Sequence, residues 1–320
     1  MISRWRNFLQ ERLEEWKLPT SGEWTFLFMN IYHPAGSNID ILWFHDGGAF
    51  PLVVTKLCRE ERILRWEFEN LTRVHSCAAD WAPKPLRLEK QGDFWALWMK
   101  GVPGSTFLPR EYRPAVLKSL ADTLASMHGA IRDHGGWSSP NRYDRMVKEP
   151  IENVAQFNNV ASIAAGCAQL RTQLSPEWVA SLPVIPQHGD LCQGNLLLDG
   201  DKWHVVDWEN FGRVDMPLFD LISLLYAMLR GKGETPEIWD PVLVSEVPGL
   251  MASYTRKMGS DPADVSRMLP LTLIIWFHLQ WRDGRKQFAG QIHKAIQHYF
   301  EHRELWEKVF VPPLRSEIVR

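Results

Sequence analysis

Residues 187–210 read QHGDLCQGNLLLDGDKWHVVDWEN, and they hold the side chains best suited to chemistry. Asp190 follows His188-Gly189, Asn195 comes five residues later, and Asp207 completes the set. Phosphoryl transfer needs one carboxylate to receive the proton of an attacking hydroxyl. It also needs hard oxygen ligands for magnesium, which favours carboxylate and carbonyl oxygens and keeps several waters. Asp190 suits the first task; Asn195 and Asp207 suit the second. Taken singly, Asp and Asn are ordinary turn and cap residues. The set and its spacing carry the signal.

These residues need a frame. Residues 196–198 and 204–206 are short apolar runs, and Asp199-Gly200-Asp201 between them is a hairpin signal. A hairpin there puts Asn195 and Asp207 at the two open ends of one ribbon. The next apolar run starts at Phe219, about a dozen residues after Asp207. That leaves no room for the long activation segment with which a protein kinase docks a peptide. The expected acceptor is a small hydroxyl compound, bound among the C-terminal helices and residues 151–182.

Upstream, Ile2, Trp5, Phe8, Leu9, Leu13 and Trp16 recur at helical spacing, which predicts an amphipathic first helix packed on the N-terminal lobe. Strands are predicted over 24–31, 39–44 and 51–57, with turns at 33–38 and 45–48. Lys56 thus falls near the end of a third antiparallel strand. Residues 59–76 form a helix by pattern. Ile63, Glu67, Leu71 and Val74 share its apolar face, while Glu69 points to solvent. A carboxylate on a buried face needs a partner. Strands follow at 86–88 and 94–99, and residues 100–104 (KGVPG) read as a hinge. Beyond it the chain is helical: 113–131, two helices within 151–182, 219–229, and three or four more after 247, including 269–281 and 292–310. Residues 135–150 read as irregular. The expected fold is α+β and two-lobed: a β-rich N-terminal lobe over 1–100 and a helical C-terminal lobe over 101–320.

Composition narrows the setting. With 320 residues, 45% hydrophobic and 23% charged, the chain reads as a soluble globular protein. A formal net charge of -2 gives no electrostatic case for nucleic acid or an anionic membrane surface. Its most apolar run, 269–276, is too short for a membrane span of roughly 20 residues. Cys58, Cys77, Cys167 and Cys192 lack metal or redox spacing, and no apolar leader is visible. A reducing, cytoplasmic setting is expected. Sixteen tryptophans serve first as core filling and second as stacking surface for a ligand.

HGDLCQGN followed by VVDWEN, with Asp215 and Asp220 in GRVDMPLFDL, resembles the aminoglycoside phosphotransferase and choline kinase superfamily. These are small-molecule kinases with a protein-kinase-like fold. The resemblance runs from about residue 24 to 229 and is sharpest over 188–220. It implies ATP as donor, with GTP left open, magnesium, and a hydroxyl acceptor of aminoglycoside, sugar or amino-alcohol type. A choline or ethanolamine kinase is the narrower alternative; an inactive kinase-like sensor or scaffold is the alternative of another class. By the resemblance Asp190 is the catalytic base, Asn195 and Asp207 hold the metal, His188 braces the loop, and Asp220 anchors it from the following helix. Lys56 holds nucleotide phosphates with Glu67 as its partner. Met99, Gly101 and Val102 meet the adenine, and Gly36, Ser37 and Asn38 cover the phosphates. The single glycine at Gly36, where the family has a run, is the main departure. Glu209 fits either the metal's surroundings or a substrate amine, and Cys192 either a reactive or an inert thiol. Tyr226, Trp276, Phe277 and Trp281 could line a cage for a quaternary amine. The expected state is a monomer or homodimer.

Overall fold

The computed structural model describes residues 2–33, 36–108, 112–157 and 160–313; for 30–33, 36–38 and 232 it describes the backbone alone. The chain clusters into two units. One comprises Met1–Ser105 and Leu197–Glu209, the other Thr106–Leu196 and Asn210–Arg320.

The first unit is built on a five-stranded antiparallel sheet of order β1-β2-β3-β5-β4. Its strands are β1 (Trp24–His33), β2 (Gly36–His45), β3 (Val53–Cys58), β4 (Pro85–Gln91) and β5 (Phe94–Lys100). β1 and β2 pair without interruption from Trp24↔His45 to His33↔Gly36. Residues 33 and 36–38 of the turn expected over 33–38 are thus strand, and residues 34 and 35 lie outside the described residues. The β2–β3 register sets Asp40 opposite Lys56.

α1 (Ile2–Gln10) covers one face of the sheet. Trp5, Phe8, Leu9, Leu13 and Trp16 join Ile41, Trp43, Val53 and Trp98 in one buried cluster. Trp98 is the hub, with ring centroids 5.1 Å from Phe8 and 5.4 Å from Trp16. The regular helix stops at Gln10, short of the expected 18. Beyond it the chain curls, with Leu18 N–H on Leu13 O at 2.8 Å and Lys17 at φ +52°, so that Leu13 and Trp16 also reach the sheet. Burying each such side chain is worth roughly 1.5–3 kcal/mol, more than the helical turn forgone. α2 (Glu61–Ala78) packs beside β3, β4 and β5 with Leu64, Glu67, Asn70, Leu71 and Val74 buried. The short β6 (Ser105–Thr106) follows. The predicted hairpin is present as β7 (Leu196–Asp199) and β8 (Lys202–Val205), and Val205 N–H on Trp81 O at 2.7 Å ties it into the first unit.

The second unit is helical: α3 (Pro114–His134), α4 (Glu149–Gln156), α5 (Ala161–Gln173), α6 (Pro176–Ser181), α7 (Phe219–Leu229), α8 (Pro241–Met258), α9 (Asp264–Arg282), α10 (Lys286–Glu301) and α11 (Arg303–Phe310). α7 and α9 form its centre and are buried almost along their whole lengths. The expected irregular stretch 135–150 is helical from residue 142, running through a π turn, Asp144–Lys148, into α4. Its polar residues face inward for a reason that local pattern does not carry. Arg142 is buried and donates to Asp215 and to the carbonyls of Val179 and Leu182. The single helix expected over 292–310 is two, broken at His302 (φ -136°). The α+β class read from the sequence is the one observed.

Candidate active site

The phosphate-binding candidates come together in the first unit. Lys56 lies on β3, and its Nζ is 2.6 Å from Glu67 Oε1 and 2.6 Å from Asp207 Oδ1. Glu67 is 3% exposed, whereas Glu69 is exposed, as the two faces of α2 require. Asp207 sits in the left-handed region at φ +67°. A carboxylate residue tolerates this better than a bulky one, but it carries strain of the kind that neighbouring structure must hold. α2 supplies the hold: Trp66 Nε1 donates to Glu209 O at 2.9 Å, and Asn70 Nδ2 to the same oxygen at 3.2 Å.

Burial raises the Lys56–Glu67 contact above an ordinary surface pair, and Lys56 is held well above its usual pKa. Desolvation would lower it, but Asp207, Glu67 and Asp40 outweigh that. Glu67 is pushed up to about 7, by burial first, with Lys56 opposing and Asp207 and Glu209 adding repulsion. Asp40, facing Lys56 across the sheet, rises to about 6 for the same reasons. Ligand oxygens of Glu67, Asp207 and Glu209 lie within 4.8 Å of one another. A surplus of hard oxygen donors around one lysine fits a divalent cation such as magnesium.

Met99 is buried on β5 opposite Val54. Gly101 N–H donates to Leu52 O at 2.9 Å, and a Cβ at 101 would come within 1.9 Å of Pro51 O, so only glycine fits. Val102 beside it is half-buried. The backbones of Gly36, Ser37 and Asn38 are the start of β2; their side chains lie outside the described residues.

The loop candidates come together in the second unit, around Asp220. This carboxylate is fully buried at the start of α7. It accepts from His188 N–H at 2.7 Å and Gly189 N–H at 3.0 Å. His128 bridges it to Tyr254, with Nε2 3.1 Å from Asp220 Oδ2 and Nδ1 2.6 Å from the Tyr254 hydroxyl. Burial would raise the Asp220 pKa, yet His128, His188 and the Gly189 amide hold it below the usual carboxylate range. Gly189 has φ +84°, and a Cβ there would lie 2.7 Å from Asn210 O. Asp190 follows this anchored turn. Its N–H points at His188 Nδ1 (3.4 Å), and its carbonyl accepts from Asn195 Nδ2 at 3.0 Å. Its carboxylate meets Arg285 Nη1 at 3.1 Å. Asp215 is occupied structurally, by Arg142, Arg145 and Ser139.

The structure thus joins Lys56, Glu67 and Asp207 in one cluster, and His188, Asp190, Asn195 and Asp220 in another. Asp40, His128 and Arg285 were missed. The β2–β3 register would have found Asp40, had the length of the turn before β3 been legible. His128 extends the apolar stripe of α3, so its place among Leu120, Leu124 and Ile131 was the available signal. Nothing local marks Arg285. The positions considered for an aromatic cage are core: Tyr226, Trp276 and Phe277 are at most 4% exposed, and Tyr226 donates to Glu234 at 2.6 Å. Trp281 is exposed, and Lys286 Nζ sits 5.7 Å from its ring centre. Cys192 is half-buried. No helix among the described residues is long and apolar enough to cross a membrane.

Comparison with known proteins places this geometry in context. The profile described as "Phosphotransferase enzyme family" matches residues 43–241. No curated protein matches the chain by sequence. Among solved structures, a putative aminoglycoside phosphotransferase from Ralstonia eutropha JMP134 is similar at TM-score 0.62 and 15% identity, covering 93% of this chain and 97% of that one. A choline kinase from Cryptosporidium parvum Iowa II gives 0.59 and 12%, covering 96% and 95%. An amicoumacin kinase in complex with AMP-PNP, Ca2+ and Ami gives 0.57 and 14%, covering 92% of each. At these identities the similarity speaks to the fold.

Proposed function

The chain belongs to the phosphotransferase enzyme family, and from that premise we propose that it moves the terminal phosphoryl group of ATP to a hydroxyl of a small molecule. The observation that carries the reading is Lys56, held at 2.6 Å by both Glu67 and Asp207. A buried lysine fixed this way is poised to hold phosphate oxygens, and the carboxylates around it bring ligand oxygens together for a cation. Asp207 with Asn195 would hold magnesium, and Glu209 offers a further oxygen. Bound there, magnesium neutralises charge on the phosphate oxygens. The bond from Asn195 Nδ2 to Asp190 O orients this amide so that its oxygen is the atom left for a cation. Met99, Gly101 and Val102 are proposed to meet the adenine, and Gly36, Ser37 and Asn38 to lie over the phosphates.

Asp190 is the proposed proton acceptor. The acceptor hydroxyl oxygen attacks the terminal phosphorus, the bond to the bridging oxygen breaks, and the hydroxyl proton passes to Asp190. The products are a phosphate ester and ADP. Asp220 works on this step at one remove, since it fixes the His188-Gly189 amides that set the turn before Asp190.

The test is magnesium-dependent ADP formation by the full chain with pooled alcohols and sugars. Acceptor-stimulated turnover is expected. Tight nucleotide binding with no transfer to any acceptor class would overturn the reading in favour of a sensor or scaffold.

A further inference from the structure

Asp190 is met, within its own unit, by a cation whose surroundings are cationic too. Arg285 lies at the corner between α9 and α10. Its Nη1 is 3.1 Å from Asp190 Oδ2 and 3.4 Å from Gln280 Oε1, and its backbone N–H donates to Gln280 O at 2.9 Å. Arg213 is committed to Asp283 through both terminal nitrogens, each at 2.7 Å. The Arg282 side chain makes no hydrogen bond or ion pair among the described residues. Its guanidinium is held below its usual range, by burial first and then by Arg213. Asp283 is held below the usual carboxylate range, against the effect of its burial, by its bond to Arg213 and by the charges of Arg213, Arg282 and Arg285.

We propose that the acceptor carries an anionic group, a carboxylate or a phosphate, close to the hydroxyl that is phosphorylated, and that Arg285 binds it. The inference rests on Asp190 being the proton acceptor. A hydroxyl delivered to Asp190 brings its neighbouring substituents to Arg285. A carboxylate or phosphate matches the planar fork of a guanidinium and can bind it bidentately. Arg285 then exchanges one anion for another, and the Asp190 oxygen it held is released to take the proton. An acceptor with an ammonium in that position gains no such exchange and faces the Arg285 guanidinium directly. The aromatic side chains that could have caged a quaternary amine are packed in the core, and the exposed Trp281 face is already met by Lys286. This corner of the molecule is built for negative charge.

The experiment uses the full chain with ATP, magnesium and two matched acceptor sets. One is glycerol, glycerate, glycerol phosphate and ethanolamine; the other is glucose, gluconate, a hexose phosphate and glucosamine, with kanamycin as the polycationic extreme. Within at least one set, kcat/KM for an anionic member is expected to exceed that of the neutral and ammonium members by about tenfold or more. Comparing carboxylate with phosphate members identifies the anion. Arg285→Gln is expected to raise KM for that acceptor about tenfold or more, with a smaller change in kcat and nucleotide affinity unchanged; Arg285→Lys recovers part of it. Preference of the wild type for ammonium acceptors, or an unchanged KM in Arg285→Gln, would overturn the proposal and leave the kinase reading intact. Absence of phosphoryl transfer to every member would overturn the kinase reading and this inference with it.

Discussion

The two clusters of acidic residues differ in how their charge is balanced. In the first unit, Glu67, Asp207, Glu209 and Asp40 surround a single lysine, and two of these carboxyl groups are pushed well up the pH scale by burial and mutual repulsion. In the second, Asp190, Asp215, Asp220 and Asp283 each have an arginine, a histidine or backbone amides to meet them. A buried carboxylate costs stability unless a cation or hydrogen-bond donors meet it. A matched one is finished by folding. The first therefore reads as a place where ions bind and leave, and the second as a frame that holds one carboxylate, Asp190, in position. Arg285 is the exception in the second, an arginine placed on the proposed proton acceptor.

This contrast can be broken by substitution. The largest effect is expected from Asp190→Asn: turnover falls by about 10²–10⁴-fold, the usual worth of a positioned general base, while nucleotide affinity measured by titration stays near that of the wild type. Loss of nucleotide binding instead would move Asp190 into the phosphate-holding group. Asp207→Ala should abolish the magnesium-dependent part of nucleotide binding and the rise in Tm that magnesium nucleotide gives the wild type. At a hundredfold excess over Kd, that rise corresponds to about 2.7 kcal/mol.

Asp220→Asn tests the matched side through stability. Weakening hydrogen bonds to a buried charged group of this kind costs about 1.5–3 kcal/mol, read from denaturant midpoints. Its sign with pH follows from the depressed pKa of Asp220. The unfolded chain takes up this proton at higher pH than the folded chain does. The contribution is therefore present above about pH 4 and lost as pH falls through the folded value. The variant should lose that part of the acid dependence; an unaltered acid limb would show that Asp220 is not held as described. The smallest effect separates neighbours on α2. Glu67→Gln should weaken nucleotide binding by about tenfold, the scale of a charge-assisted hydrogen bond. Glu69→Gln should stay within about 0.5 kcal/mol of the wild type in stability. Equal effects at the two positions would contradict the assignment of faces.

Much of this was legible before any coordinates. The Glu67 and Glu69 faces follow from helical spacing, the hairpin at Asp199-Gly200 from turn chemistry, and the α7 boundary at Phe219 from its apolar run. These are local signals, and the structure bears them out. What escaped was set by distant partners. Residues 142–150 read as irregular because the reason for their helix, Arg142 on Asp215 and on the carbonyls near α6, lies outside any local window. The first helix was drawn too long because Leu13 and Trp16 keep helical spacing while serving a curled turn. Arg285 is ninety-five residues from Asp190 and carries no motif, so no local pattern points to its contact with that carboxylate. The chemistry was written in one contiguous stretch, whereas the acceptor's identity depends on a corner joined to it only by folding.

The most direct test of the central claim is phosphorus NMR of the wild type and Asp190→Asn, each with ATP, magnesium and the best acceptor. The account predicts a phosphate monoester signal growing in step with ADP for the wild type, and none on the same time scale for Asp190→Asn at equal nucleotide occupancy. Ester formation by Asp190→Asn at the wild-type rate would contradict it.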